Sequence, residues 1–198
     1  MIIAIAGNIG SGKSFLAELL SDKLGWEAYS DNSENPYIGD FYDDMSRWSF
    51  NLQIYFLGRR LRQMSQIISS GKNAIVDRTI DEDAEVFARN LHEFGILEPR
   101  DWHAYKQLYD YTAGALPQAD ILIYLRASSN TLVRHISRRG RDYESSIDQH
   151  YLDNLNILYE QWIASYSGRI VVVDVDEDDF VEDAPTRERV LNEICSQI

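Results

Sequence analysis

Short, almost wholly apolar runs alternate along the chain with longer stretches in which apolar residues recur every three or four positions. The runs are Ile2 to Ala6, Ala74 to Val76, Ile121 to Leu125 and Ile170 to Val173, with Trp26 to Ser30 a weaker fifth. Runs without polar alternation mark strands buried on both faces, the habit of parallel sheets. Helical periodicity between them predicts helices over about 13–24, 43–70, 81–95, 101–116, 129–139, 146–166 and 185–196. The pattern therefore predicts an α/β fold, a parallel five-stranded sheet flanked by helices on both faces. Ligands should gather at the carboxyl ends of its strands, where Lys13, Asp31, Asp77 and Arg126 fall.

The junction after the first run carries the clearest chemistry. Gly7-Asn8-Ile9-Gly10-Ser11-Gly12-Lys13-Ser14 fits G-x-x-x-x-G-K-[ST] between a strand and a helix. In such a loop Gly7 and Gly12 let backbone N–H groups approach a phosphate chain, Lys13 reaches the terminal phosphates, and Ser14 ligates Mg²⁺. The helix N-terminus adds its own positive end. Asp77 closes the run at 74–76 and can hold Mg²⁺ opposite Ser14, directly or through water, with Arg78 next to it. Its bland alternative is a cap on the next helix.

Composition narrows the classes. At 198 residues and 44% hydrophobic content the chain can bury one sizeable core, expected as one domain over 1–198. No apolar stretch approaches a membrane span and the N-terminus lacks a basic flank and cleavage site, so a cytoplasmic location without membrane partners is expected. The single cysteine, Cys195, excludes an internal disulfide and a cysteine-based metal cluster. A net charge of −13 argues against a nucleic-acid polymer as partner, because such binding rests on Lys and Arg neutralising phosphates. Small phosphate ligands need only a local cationic pocket, and Arg134 to Arg141 concentrates four arginines in this acidic chain. Arg138, Arg139 and Arg141 around Gly140 suit a mobile cationic flap over phosphoryl groups, or simply a charged helix end.

Gln53 and Arg60 lie almost two helical turns apart and share a face, with Phe56 and Leu57 between them. Such a face can grip a flat heterocycle; a solvated polar stripe has the same spacing. Asp83 and Phe87 form an i, i+4 pair on the following helix.

Together GNIGSGKS, ENPYIGDFYDDMSRWSFNLQIYFLGRR, DRTIDEDAEVF and RRGRDYE resemble the deoxynucleoside kinase family, particularly its bacterial deoxyadenosine and deoxyguanosine kinase branch. The similarity covers nearly the whole chain. It implies a P-loop kinase fold with a short arginine-rich lid, a homodimer, and transfer of the γ-phosphate of Mg²⁺-ATP to the 5′-hydroxyl of a deoxynucleoside in nucleotide salvage. By position, Gln53 resembles the glutamine that hydrogen-bonds the base, Arg60 and Asp83 the pair that reads its far edge, and Phe87 the ring that stacks on it. Tyr42 and Glu144 resemble the residues on the sugar 3′-hydroxyl. Arg78 resembles the arginine that steers the 5′-hydroxyl and phosphates, Arg139 and Arg141 match lid arginines, and Asp179-Phe180 look like the loop against the adenine of ATP.

Two positions depart from the family pattern. A glutamate normally acts as base after the second strand; here the stretch reads Tyr29-Ser-Asp-Asn-Ser-Glu-Asn-Pro36. Counting forward from Gly25 selects Asp31, counting backward from Asn35-Pro36-Tyr37 selects Ser30, and Glu34 is the reserve to Asp31. His135 stands where the lid generally has arginine. The implied reaction is in-line transfer, with Asp31 or Glu34 deprotonating the acceptor and Lys13, Arg78 and the lid arginines stabilising charge. Asp83 accepting and Arg60 donating suit adenine, guanine or cytosine and oppose thymine, whose O4 would face a carboxylate. A nucleoside monophosphate kinase would need a further arginine set for its acceptor, and a non-catalytic member of the fold finds support only in the irregular base loop.

Overall fold

The computed structural model describes residues 1–30, 35–141 and 147–198. Five strands, β1 (Ile2–Gly7), β2 (Glu27–Tyr29), β3 (Ala74–Asp77), β4 (Ile121–Arg126) and β5 (Ile170–Asp174), form one sheet in the order β2-β3-β1-β4-β5, every pair parallel. The apolar runs of β1, β3 and β4 are covered on both faces, while the edge strand β5 leaves Val172 exposed. Ile3 and Ile5 turn to a core shared with α1 (Lys13–Leu24), α7 (Ser129–Arg139) and α9 (Ala184–Cys195). Ala4 and Ala6 turn the other way and leave room for Tyr159 and Trp162 of α8 (Gln149–Ser165). Each fully buried Leu, such as Leu16 or Leu20 of α1, contributes about 1.5–3 kcal/mol to that covering.

Strand order decides where the site can form. β1 lies between β3 and β4, and the chain builds β2 and β3 on one side of it before crossing to β4 and β5 on the other, so the crevice at the carboxyl end of β1 is the topological switch point. Register sets Asp77 beside Ile5 and Leu125 beside Gly7, which brings the ends of three strands around residues 7–14.

Two predicted helices differ in detail from the expectation. The helix expected over 43–70 is α3 (Met45–Ser70), and a short α2 (Ile38–Asp43) that was not expected precedes it; the two are separated at Asp44, which is extended (φ −146°, ψ 85°) and whose carboxylate accepts from the Arg47 N–H at 3.0 Å. The stretch 81–95 opens as α4 (Ile80–Glu82), widens into a π-helical segment (Asp83–Ala88) and finishes as α5 (Arg89–Glu93). Its start is fixed by a reciprocal capping box of Thr79 and Glu82. The helix expected at 101–116 is α6 (Pro99–Ala113), shifted by the proline at its first turn.

Candidate active site

Residues 7–14 wrap the carboxyl end of β1 in a conformation that only glycine carries easily. Gly12 has φ 94°, and a Cβ there would sit 3.0 Å from the Phe180 ring; one on Gly7 would sit 2.8 Å from the Leu125 carbonyl oxygen. Asn8 and Ser11 are buried, and the Asn8 side chain ties the loop to α8 by donating to the Leu152 carbonyl and to Asn156 Oδ1. Ile9 packs on both core faces.

Lys13 is buried, and its Nζ donates to the carbonyl oxygens of Gly7 and Asn8, each at 2.7 Å. Burial first, and then the Arg78 guanidinium, lower its pKa to about 7, against the opposing pull of Asp77 and Glu82; Arg139 lowers it further. That influence brings the lid arginine into the field of the loop lysine. A polyanion placed beside a lysine held this way would favour its charged form.

Asp77 does not cap the next helix; Thr79 does. Asp77 is buried and accepts from the Ser14 hydroxyl through Oδ2 at 2.6 Å, while its Oδ1 has no hydrogen-bond partner among the described residues. A hydroxyl paired with a buried, half-satisfied carboxylate at a loop rich in N–H donors is a hard-oxygen donor set of the kind Mg²⁺ takes.

Arg78 adopts φ 73°, in the left-handed region that a non-glycine residue rarely occupies. Its guanidinium lies 4.3 Å over the Phe87 ring and donates to Glu82 Oε1 at 3.2 Å and the Tyr159 hydroxyl at 3.3 Å. The face of α3 that carries Gln53 and Arg60 is buried and polar. Arg60 Nε donates to Asp83 Oδ2 at 3.0 Å with side chains 2% and 6% exposed, so this face of α3 is not a solvated stripe. Arg60 also donates to Gln63 Oε1, and the Gln53 Oε1 on the same face is buried without a partner among the described residues. Phe56 and Tyr42 join the aromatic cluster around Phe41, Leu52, Leu91 and Leu97.

The lid helix α7 ends at Gly140 (φ 65°) with Arg138 paired to Glu182 at 3.1 Å; Arg139 and Arg141 are exposed. His135 faces the phosphate loop, its Nδ1 2.9 Å from the Gly10 carbonyl oxygen. Phe180 is fully buried, its ring stacked on Phe15 and against Gly12, so this segment can meet a nucleotide through backbone or Asp179, not through the Phe180 ring. Asp31, Glu34 and Glu144 lie outside the described residues.

A model of the family described as deoxynucleoside kinase matches residues 3–198. The chain belongs to that family. It is 32% identical to a deoxyadenosine/deoxycytidine kinase of Bacillus subtilis, over 100% of this chain and 93% of the relative, and 35% identical to a deoxyguanosine kinase of the same organism, over 95% and 93%. Among solved structures it is similar to a deoxyadenosine kinase from M. mycoides with dCMP and dCDP bound, at 34% identity and a TM-score of 0.87, covering 99% of this chain and 100% of the other. The same M. mycoides kinase with dCTP bound gives 32% identity and a TM-score of 0.85, covering 99% of this chain and 100% of the other.

In this deoxynucleoside kinase the structure gathers Lys13, Ser14, Asp77 and Arg78 around the phosphate loop and buries Arg60, Asp83 and Gln53 between α3 and the π-helical segment. Sequence reasoning passed over Glu82 and Tyr159. Glu82 had a signal in Thr79-x-x-Glu82, which reads as a capping box and conceals a fully buried carboxylate.

Proposed function

We propose that residues 1–198 form one catalytic unit that phosphorylates the 5′-hydroxyl of deoxyadenosine, deoxyguanosine or deoxycytidine with Mg²⁺-ATP, as a cytoplasmic homodimer serving nucleotide salvage. The observation that carries this reading is Arg78, which touches the acceptor side through the Phe87 ring and acts electrostatically on the donor-side Lys13. One residue thus spans both substrates of a transfer reaction.

The loop N–H groups and Lys13 bind the triphosphate, and Lys13, Arg78, Arg139 and Arg141 stabilise charge that spreads over the transferring phosphoryl group. Ser14 and Asp77 would hold Mg²⁺, for which the unpartnered Asp77 Oδ1 leaves a ligand position; when bound, the ion neutralises charge on the β- and γ-phosphates. Asp31, with Glu34 in reserve, takes the 5′-hydroxyl proton, Tyr42 and Glu144 hold the sugar, and Gln53, Arg60, Asp83, Phe56 and Phe87 receive the base. Asp179 and the Phe180 backbone border the donor adenine. The test is ADP formation from Mg²⁺-ATP with each deoxynucleoside and with its monophosphate. Turnover of deoxynucleosides is expected; turnover confined to monophosphates would assign the chain to monophosphate kinases instead.

A further inference from the structure

Glu82 is more elaborately held than a helix cap requires. One oxygen, Oε2, performs the capping by accepting from the Thr79 N–H at 3.4 Å. The other, Oε1, accepts from the Gly7 N–H at 3.2 Å, from Arg78 Nη1 at 3.2 Å and from the Tyr159 hydroxyl at 2.5 Å. Glu82 and Tyr159 are both fully buried. Glutamine caps as well as glutamate, so capping does not account for a buried carboxylate with three donors on one oxygen.

Proton accounting gives the arrangement a second state. The Tyr159 hydroxyl carries one proton and lies within reach of two acceptors, Glu82 Oε1 and, at 2.7 Å, the Gly7 carbonyl oxygen. Lys13 already donates to that carbonyl. Tyr159 can therefore give its proton to Glu82, while its oxygen accepts from Arg78. Whenever the Lys13 ammonium turns to a phosphate, the Gly7 carbonyl loses a donor, and a buried acceptor left unpaired is costly. Rotation of the Tyr159 O–H about its C–O bond supplies a replacement without moving a heavy atom. Glu82 then still accepts from Gly7, Arg78 and Thr79.

We propose that Glu82 and Tyr159 are a positioning unit that aims Arg78 and holds the first residue of the phosphate loop by N–H and C=O alike while Lys13 engages phosphate. The inference rests on the role proposed above for Arg78. Glu82→Gln has a single acceptor oxygen: turned to Gly7, Arg78 and Tyr159 it sets an NH₂ against the Thr79 N–H, turned to Thr79 it sets the NH₂ against Gly7 and Arg78, and either way the negative charge facing Arg78 is lost.

The experiment measures kcat, both KM values and thermal unfolding for the parent, Glu82→Gln, Tyr159→Phe, Arg78→Lys and Glu82→Gln/Arg78→Lys. Expected are a fall of about 10- to 150-fold in kcat for Glu82→Gln, with deoxynucleoside KM within about threefold, and about 3- to 10-fold for Tyr159→Phe. In the Arg78→Lys background Glu82→Gln should cost less than about threefold, because residues acting as one unit are not additive. A Glu82→Gln protein with kcat within threefold of the parent overturns the inference, as does an equal cost in both backgrounds, the mark of a merely structural cap. Should Glu82→Gln fail to fold, Tyr159→Phe decides, and parent-like kcat there overturns it. Parent activity in Arg78→Lys would instead overturn the proposed role of Arg78.

Discussion

Replacing Asp83 tests the base-reading face most severely, because its partner is buried with it. Arg60 and Asp83 meet at 3.0 Å with side chains 2% and 6% exposed, so neither charge is screened by solvent. Removing the carboxylate as Asp83→Ala leaves a guanidinium inside the protein, a loss of about 3–5 kcal/mol for a broken buried pair. In a chain of this size each kcal/mol moves Tm by about 2–4 °C, so Tm should fall by about 6–20 °C. Asp83→Asn keeps the volume and one acceptor and is the better variant for kinetics. Losing the charged acceptor for an exocyclic amino group costs about 1.5–3 kcal/mol, or about 10- to 150-fold in kcat/KM for deoxyadenosine, deoxyguanosine and deoxycytidine. Thymidine, relieved of repulsion at O4, should gain relative to them. The assay is kcat/KM for the four nucleosides in parent and Asp83→Asn, with thermal unfolding of both variants. Unchanged ratios among the four would refute base reading by Asp83, and a Tm within 2 °C of the parent for Asp83→Ala would refute the buried-pair argument.

Two further outcomes follow from the same site. Asp31→Asn should lower kcat by about 10²–10⁴ with a smaller effect on nucleoside KM, and Glu34→Gln should do less; steady-state kinetics that reverse the ranking would move the base to Glu34. With Lys13 lowered to about 7, the lysine is mostly neutral at pH 8 and becomes charged on meeting a triphosphate, so ATP binding there should take up a proton, an uptake that fades as pH falls below 7; calorimetry in two buffers of different ionisation enthalpy checks this, and no uptake at pH 8 would contradict it.

The sequence pattern made β1, β3 and β4 legible because these central strands are buried on both faces, which leaves an unbroken apolar run, whereas the edge strand β2 is nowhere buried and read only weakly. The phosphate loop was legible because its glycines, lysine and serine answer to fixed geometric demands. Other features were hidden by features that read as ordinary. Nothing in DRTIDEDAEVF announces that Arg78 turns left-handed or that 83–88 widens into a π-helix; both arise from tertiary packing at the site. The short α2 ahead of Asp44 went unread because six residues are too few to show a helical period, and the start of α3 was set by the Asp44 cap. Arg60 and Gln53 looked the same whether solvated or buried until α4 and its π-helical continuation were packed on α3.

The account stands most directly on the fate of one phosphoryl group. Phosphorus NMR of Mg²⁺-ATP, deoxyadenosine and the enzyme should show the γ-phosphate signal replaced in equal amount by a 5′-phosphomonoester, with ADP as the other product and no signal change with Lys13→Ala. Inorganic phosphate alone, a phosphoryl group on any other oxygen, or an unchanged γ signal with deoxyadenosine, deoxyguanosine and deoxycytidine would contradict it.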